Sequence, residues 1–278
     1  MTRAESLRLG LGLLVAGCGA RRTIGLRVAS TGVNENAVIA EVYAAALERA
    51  NIRVERHIGY GDAQSLMGAL RAGKIDVFPG YVPEKLRYED HDGVTFLEPS
   101  PATEGPCVLT SQVSAERFWL VTLTRCARIA PRLRLAATRD FLAPNGGLQK
   151  LQSVYGGFHF KSVTVCDDGD QYGLLNLDDA DVANGSSTDA QIAQDQLGVL
   201  SDPKSCFPAS SIAPIIRVGS LDARGARVLN RMSQALNEYA VQRLNMQCDL
   251  GTFSARFLAE EFVIAESHRA TPNRAALR

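Results

Sequence analysis

Six cysteines, four histidines and two short runs of acidic and hydroxyl residues are the side chains in this 278-residue chain best suited to chemistry. A thiolate nucleophile at Cys107 or Cys166 needs a base beside it. His57, His91, His159 and His268 are scattered, and none adjoins either cysteine in sequence. No CxxC pair or Cys/His cluster has zinc-site spacing. Asp167-Asp168-Gly169-Asp170 resembles the start of a calcium loop. The later acidic ligand is absent, so the run reads as a solvated turn before a helix. Ser186-Ser187-Thr188-Asp189 has the residue types of a helix start, where a hydroxyl or carboxylate accepts backbone N–H bonds. If that start faces a crevice, it also offers donors to a polar ligand. No metal and no cofactor is expected, and an enzyme using a cysteine nucleophile stands as the alternative of another class.

The elements that position these residues alternate between strand and helix. Thr23 to Ser30 reads as a strand, and Asn34 is expected to cap a helix from Glu35 to Arg49 with Val38, Ile39, Val42, Ala46 and Leu47 as its apolar stripe. Ile52 to Ile58 is the next strand. Ala63 to Ala72 follows as a helix with Leu66, Met67 and Leu70 on one face, and Gly73-Lys74-Ile75-Asp76-Val77-Phe78 ends it and starts a buried strand. Strand ends in such βαβ units line ligand crevices. Small residues and prolines from Pro99 to Pro106 mark a crossing into a second unit. Its strands are expected at Cys107 to Thr110, Leu133 to Ala137, Ser162 to Cys166 and Ala180 to Ala183. Its helices are expected near Thr124 to Ala130, Gly147 to Tyr155 and Tyr172 to Leu177. Pro203, Pro208 and Pro214 mark the return, and Leu221 to Ala265 reads as three helices. Two crossings imply two lobes and a hinge. The reading is residues 18–105 and 211–278 for lobe 1 and 106–210 for lobe 2.

At the N-terminus, Arg3 and Arg8 precede an apolar stretch, Leu9 to Gly17, too short to span a bilayer, and it stops at Val15-Ala16-Gly17-Cys18. This resembles a bacterial lipoprotein signal, with residues 1–17 removed and the Cys18 thiol carrying diacylglycerol. The expected location is the extracytoplasmic face of the cell membrane, lipid-anchored. In that oxidising setting some of the remaining cysteines, Cys107, Cys126, Cys166, Cys206 and Cys248, are expected to pair. Thirty basic residues balance thirty acidic ones, so no net field recruits nucleic acid. Aromatics at 6% and no further long apolar run exclude a membrane-spanning body.

The chain resembles the substrate-binding proteins of osmoprotectant ABC importers, which take up glycine betaine, choline, carnitine and proline. The segments that carry the resemblance are Asn34-Glu35-Asn36, Ala69 to Val77, Val154-Tyr155-Gly156, Asp181-Val182-Ala183-Asn184 with Ser187-Thr188-Asp189, and Phe207-Pro208 with Ile212 to Ile216. The resemblance implies an α/β, two-lobed type II periplasmic-binding fold with a central ligand cleft. It also implies a monomer that delivers a small solute to permease and ATPase subunits; a sensor would use the same cleft. Betaine-binding members hold the trimethylammonium in a tyrosine cage and the carboxylate with a lysine, a threonine and an arginine. Tyr81 and Tyr172 match two cage positions, and the other two fall near Pro106 and at Ser186. The lysine position falls at Thr31, the threonine near Glu84 and the arginine near Pro144. The expected ligand-binding set is Thr31, Tyr81, Glu84, Pro106 with adjacent Cys107, Tyr172, Ser186, Ser187 and Thr188. With two rings and the carboxylate anchor replaced, this set favours a bulkier neutral, aromatic or polyhydroxylated solute over betaine. Ordinary quaternary-ammonium binding is the alternative.

The lipid assignment has a direct check. Cys18→Ala should shift the protein from the membrane fraction to the soluble fraction on fractionation, and membrane retention with unchanged processing would refute it.

Overall fold

Two β-sheets, each closed by the same helix-turn-strand device, frame the protein. The structure is a computed structural model and describes residues 25–83 and 92–269. The first sheet contains β1 (Leu26–Ala29), β2 (Val54–His57), β3 (Val77–Pro83), β4 (Val94–Phe96), β5 (Thr103–Glu104) and β11 (Ser210–Arg217). Its order is β2-β1-β3-β11-β4, with β5 pairing β11; β1 is parallel to β2 and β3, and β11 is antiparallel to β3, β4 and β5. The second holds β6 (Pro106–Thr110), β7 (Arg134–Thr138), β8 (Ser162–Cys166), β9 (Val182–Ser186) and β10 (Gly198–Val199), ordered β10-β6-β9-β7-β8. The chain passes from one sheet to the other at Gly105 and returns before Ser210.

Helix α1 (Asn34–Arg49) lies buried between the first sheet and α9 (Ala223–Ala235), α10 (Glu238–Asp249) and α11 (Ala255–Arg269). Its alanines admit α11 closely, so burial extends beyond the apolar stripe to Glu41 and Tyr43. Glu41 accepts from Arg56 Nε at 2.7 Å, and Glu48 takes the other guanidinium nitrogens at 2.6 and 2.8 Å, which ties α1 to β2. The residue capping α1 is Val33 rather than Asn34, which opens the helix and turns its amide to Asp249 Oδ1 at 3.1 Å.

Helix α2 (Ala63–Arg71) ends in a Schellman turn. Gly73 has φ +66°, its N–H donates to Leu70 O, and the Lys74 N–H donates to Ala69 O. Asp76 then meets the start of β1. Its Oδ2 accepts from Arg27 N at 3.0 Å and Nε at 2.8 Å, while Oδ1 accepts from Arg27 Nη2 at 2.9 Å and Arg217 Nη2 at 2.6 Å. The second sheet repeats the arrangement. After α7 (Asp170–Asn176), Asp178 takes φ +56°, and Asp178 and Asp179 donate to Leu175 O and Leu174 O. Asp181 Oδ2 then accepts from Arg134 N at 2.7 Å and Nε at 3.0 Å. In each sheet a buried aspartate so fixes two parallel strands in register.

Several sequence expectations shift. Strand β3 runs on to Pro83, and β9 runs on past the expected end at Ala183 through Asn184-Gly185-Ser186, because β6 pairs with it from Thr110↔Val182 to Pro106↔Ser186. Pro214 lies in the middle of β11 rather than in a crossing. It faces Pro79 of β3, and two residues without an N–H can oppose each other where neither donates to its partner. Helix α3 (Gln112–Phe118) follows β6 without having been anticipated; α4 (Leu123–Ile129), α5 (Arg139–Leu142), α6 (Gly147–Tyr155) and α8 (Ala190–Gln194) complete the second unit. Among the described residues all five cysteines are free thiols, although Cys126 and Cys206 border one apolar cluster and Cys107 and Cys166 another, and the expected pairing is not observed.

The paired arginines hold both aspartate carboxyls below the usual carboxylate range, against the opposing effect of burial. Stability contributed this way is present above the unfolded carboxylate pKa and lost as pH falls through the depressed folded value. Asp76→Ala strips Arg27 and Arg217 of their shared buried carboxylate and should cost about 3 kcal/mol, and Asp181→Ala, which leaves Arg134 only the exposed Asp178, should cost about as much. That corresponds to a fall of roughly 10 °C in Tm at neutral pH. Melting of both variants at pH 7, with an acid titration of the parent by circular dichroism, tests this.

Candidate functional site

Strand β3 carries Tyr81 to the space between the two sheets, and the elements around it supply mostly acid. The first turn of α1 brings Glu35, β5 brings Glu104, the turn after β9 brings Asp189, and α10 brings Asn245. These residues line a cavity of about 540 Å³ together with Ser186 and Thr188. A second cavity of about 530 Å³ shares Glu104, Ser186, Asp189 and Gln191 with the first and adds Pro106, Tyr172, Asp168 and Lys150. The two are continuous along one cleft, a volume suited to a small solute.

Each cleft tyrosine is tied to a carboxylate. Tyr81 donates its hydroxyl to Glu35 Oε1, and Tyr172 donates to Asp189 Oδ2. Asp189 also accepts from Ser186 N at 2.6 Å, and Glu104 accepts from Ser186 Oγ at 3.3 Å. Gly185 permits this fold-back, because a Cβ there would stand 2.9 Å from Asp189 Oδ2 and 2.7 Å from Leu109. Burial raises the carboxyl of Glu104, with Glu35 and Asp189 adding to the shift and the Ser186 hydrogen bond opposing it. Burial likewise raises Asp189, aided by Asp168 and Glu35 and opposed by Tyr172 and Ser186. Both phenols are pushed well up by burial and by their carboxylate partners. Four carboxylates and no basic side chain line the Tyr81 half of the cleft, and Lys150 is the basic residue lining the Tyr172 half. Such a surface attracts a cation and repels a carboxylate.

Of the residues singled out by sequence, Tyr81, Pro106, Tyr172, Ser186 and Thr188 line the cleft. Thr31 stands beside it, its N–H held by Asn36 Oδ1 at 2.9 Å. Cys107 does not line the cleft: strand alternation turns it into the apolar cluster beneath Tyr172, where burial pushes its thiol well up. Burial and Asp170, Asp167 and Asp168 raise the Cys166 thiol too, so neither cysteine is activated as a nucleophile. Ser187 serves the crossing instead. Its hydroxyl donates to Thr103 O at 2.6 Å and accepts from Gly105 N at 3.2 Å. Asp189 precedes α8 without a side-chain cap bond, since its carboxylate is engaged by Tyr172 and Ser186. Glu84 and Cys18 lie outside the described residues. Sequence reasoning passed over Glu35, Glu104, Asp189 and Asn245 as ligand-facing groups, although Asn34-Glu35-Asn36 and Asp189 stood within the quoted motifs.

Helix α10 fastens the two units across the cleft. Asn245 Nδ2 donates to Glu35 Oε2 at 2.6 Å and to Thr188 O at 2.8 Å, and Gln242 Nε2 donates to Ser187 O at 2.8 Å. A cleft-facing carboxylate is thereby connected to the backbone of the opposite unit through a single buried amide.

Comparison with known proteins agrees with this geometry. Residues 25–265 match the family described as the substrate binding domain of ABC-type glycine betaine transport systems. The chain is 22% identical over 260 residues to the ergothioneine transport permease/ergothioneine binding protein EgtU of Helicobacter pylori. That match covers 86% of this chain and 47% of the relative, so the chain spans about half of that longer protein. It is also 22% identical over 280 residues to the glycine betaine-binding protein YehZ of Escherichia coli, covering 86% of this chain and 89% of that one. The solved apo structure of YehZ superposes with a TM-score of 0.79 at 20% identity, covering 87% and 98% of the two chains. A solved glycine betaine/carnitine/choline ABC transporter structure superposes at 0.78 with 21% identity, covering 87% and 99%. The fold is that of type II periplasmic binding proteins.

Replacing the bridging amide tests the link. Asn245→Ala removes a hydrogen bond to a carboxylate and another to a backbone carbonyl, and should destabilise the protein by about 2 kcal/mol. Gln242→Ala should cost about half as much. Differential scanning calorimetry of both variants checks the order, which reverses if Asn245 is a bystander.

Proposed function

Because the chain belongs to the substrate-binding domains of ABC-type glycine betaine transport systems, we propose that it captures a solute with a quaternary-ammonium or similar cationic head for delivery to the permease and ATPase subunits of an importer. The observation that carries the reading is the Tyr81 half of the cleft, where Glu35, Glu104, Asp189 and Asp249 stand without a basic neighbour. Residue types alone favoured a neutral solute; the assembled charge favours the cation. Each desolvated cation–π contact with a tyrosine face contributes roughly 0.5 to 2 kcal/mol, and the carboxylates add Coulomb attraction. Glycine betaine fits less well, because its carboxylate lies close to its cation and would meet acid on every side. A cation without a carboxylate, or one whose anionic end reaches Lys150, suits the cleft better. The relatives named for betaine, carnitine, choline and ergothioneine are named for solutes that each carry a quaternary-ammonium head, which supports the cationic head of the ligand.

The protein works outside the cell membrane in this proposal, as a monomer held by an acyl chain on Cys18. The arginines, apolar run and Val15-Ala16-Gly17-Cys18 of the sequence support that anchor. The units that the chain joins twice, near residues 102–107 and 205–211, serve as lobes closing on the ligand.

Calorimetry with choline, carnitine, glycine betaine, ergothioneine and neutral phenols or polyols decides among ligand classes. A cationic solute should bind, glycine betaine at least tenfold more weakly, and Tyr81→Ala and Tyr172→Ala should each weaken binding by about tenfold. A cation lowers the raised carboxyls of Glu104 and Asp189, so binding should release protons, and affinity should fall as pH drops through their range. Tighter binding of a neutral solute, with no proton release, would sink the proposal.

A further inference from the structure

The balanced net charge conceals a strong local imbalance at the end of the first sheet opposite the cleft. From Gly25 at that end, through β1, to Thr31 beside the cleft the chain covers at most roughly 20 Å. A groove lined by Arg27, Arg53 and Arg217 opens beside Gly25. A second, lined by Arg49, Arg224, Arg227 and Arg231, opens between α1, α9 and α11. Ile52 of the first groove packs at the start of α9, the helix that carries Arg224, Arg227 and Arg231 of the second: a Cβ on Gly225 would stand 3.3 Å from its side chain. Seven arginines line them against two aspartates. Asp76 is shared by Arg27 and Arg217, and Asp222 caps α9 through Gly225 N at 2.8 Å.

Arg224, Arg227 and Arg231 recur at helical spacing on one face of α9. These three and Arg49 are exposed, and none forms an ion pair among the described residues. Between them the floor is apolar, formed by Ala46, Val228, Met232 and Val263. A basic stripe over apolar ground suits headgroups of an anionic bilayer, with arginine stems lying along the floor.

The tether identifies the occupant. Cys18 stands seven residues before Gly25, a reach of at most roughly 25 Å when fully extended. A chain anchored at Cys18 therefore holds Gly25, and the arginine-lined face beside it, within that distance of the bilayer. We propose that the arginine face formed by α9 and the C-terminal end of α1 docks on anionic phospholipid, so that electrostatic attraction supplements the acyl anchor. The supplementary role rests on the anchor reading; the docking surface does not.

Full-length Cys18→Ala protein, which lacks any acyl chain, separates the two. Without solute, it should co-sediment with mixed phosphatidylglycerol–phosphatidylcholine vesicles and not with pure phosphatidylcholine, and the binding should vanish between ~0.1 M and ~1 M salt as the screening length contracts. The triple substitution Arg224→Gln, Arg227→Gln and Arg231→Gln should weaken it about a hundredfold, at about fivefold per arginine. The triple Arg128→Gln, Arg132→Gln and Lys161→Gln, on the other unit, makes the same change in net charge and should stay within about twofold. Equal loss in both triples, or no preference for the anionic vesicles, overturns the proposal. In the second event, an uptake defect in the α9 triple would assign the face to an acidic protein segment. Calorimetry of solute binding on the same α9 variant keeps failure of docking distinct from failure of the cleft.

Discussion

A buried aspartate at the start of a parallel strand, clasped by an arginine from the neighbouring strand, is the constraint on which the rest of the structure depends. Asp76 with Arg27 and Asp181 with Arg134 occupy matching places in the two sheets, each using both a backbone N–H and the guanidinium. A strand slipped by one residue would turn its core side chains to the opposite face. The clasp opposes such a slip at the start of β3 and β9, so their far ends arrive at the cleft with Tyr81 and Ser186 correctly turned. The Schellman turn before each aspartate fixes the approach from the preceding helix.

With the strand ends in place, the cleft collects acid at a cost in stability. Glu104 and Asp189 are raised by burial and by neighbouring carboxylates, Glu35 acting on both, which describes a site strained by like charge. In the proposed function a cation entering the cleft relieves that strain, and part of its binding energy is already present as repulsion in the empty protein. The tyrosine hydroxyls moderate it by donating to Glu35 and Asp189, and this also holds the rings in position. Asn245 joins the same charge to the backbone of the opposite unit.

Charge is therefore segregated along β1, with carboxylates at one end and arginines at the other. A formal net charge of zero over the whole chain is silent about this separation. A dipole of this kind orients the molecule in an external field before any short-range contact forms.

The sequence by itself determined the alternation of strand and helix, the turn at Gly73, the presence of two units and the relationship to osmoprotectant-binding proteins, because these follow from local periodicity, backbone preference and contiguous motifs. Tyr81 and Tyr172 were legible through those motifs. Tertiary structure alone decided that Pro214 belongs in a central strand, since only pairing with β3 sets Pro79 opposite it. It alone decided that Cys107 points away from the cleft and Ser187 into the crossing, because strand register assigns faces one residue at a time. The acidic character of the cleft belongs to the same class. Glu35 and Asn245 meet across 210 positions of sequence, and Glu104 and Ser186 across 82, so the acidic surface on which the proposed ligand choice rests exists only once the chain has crossed twice and returned.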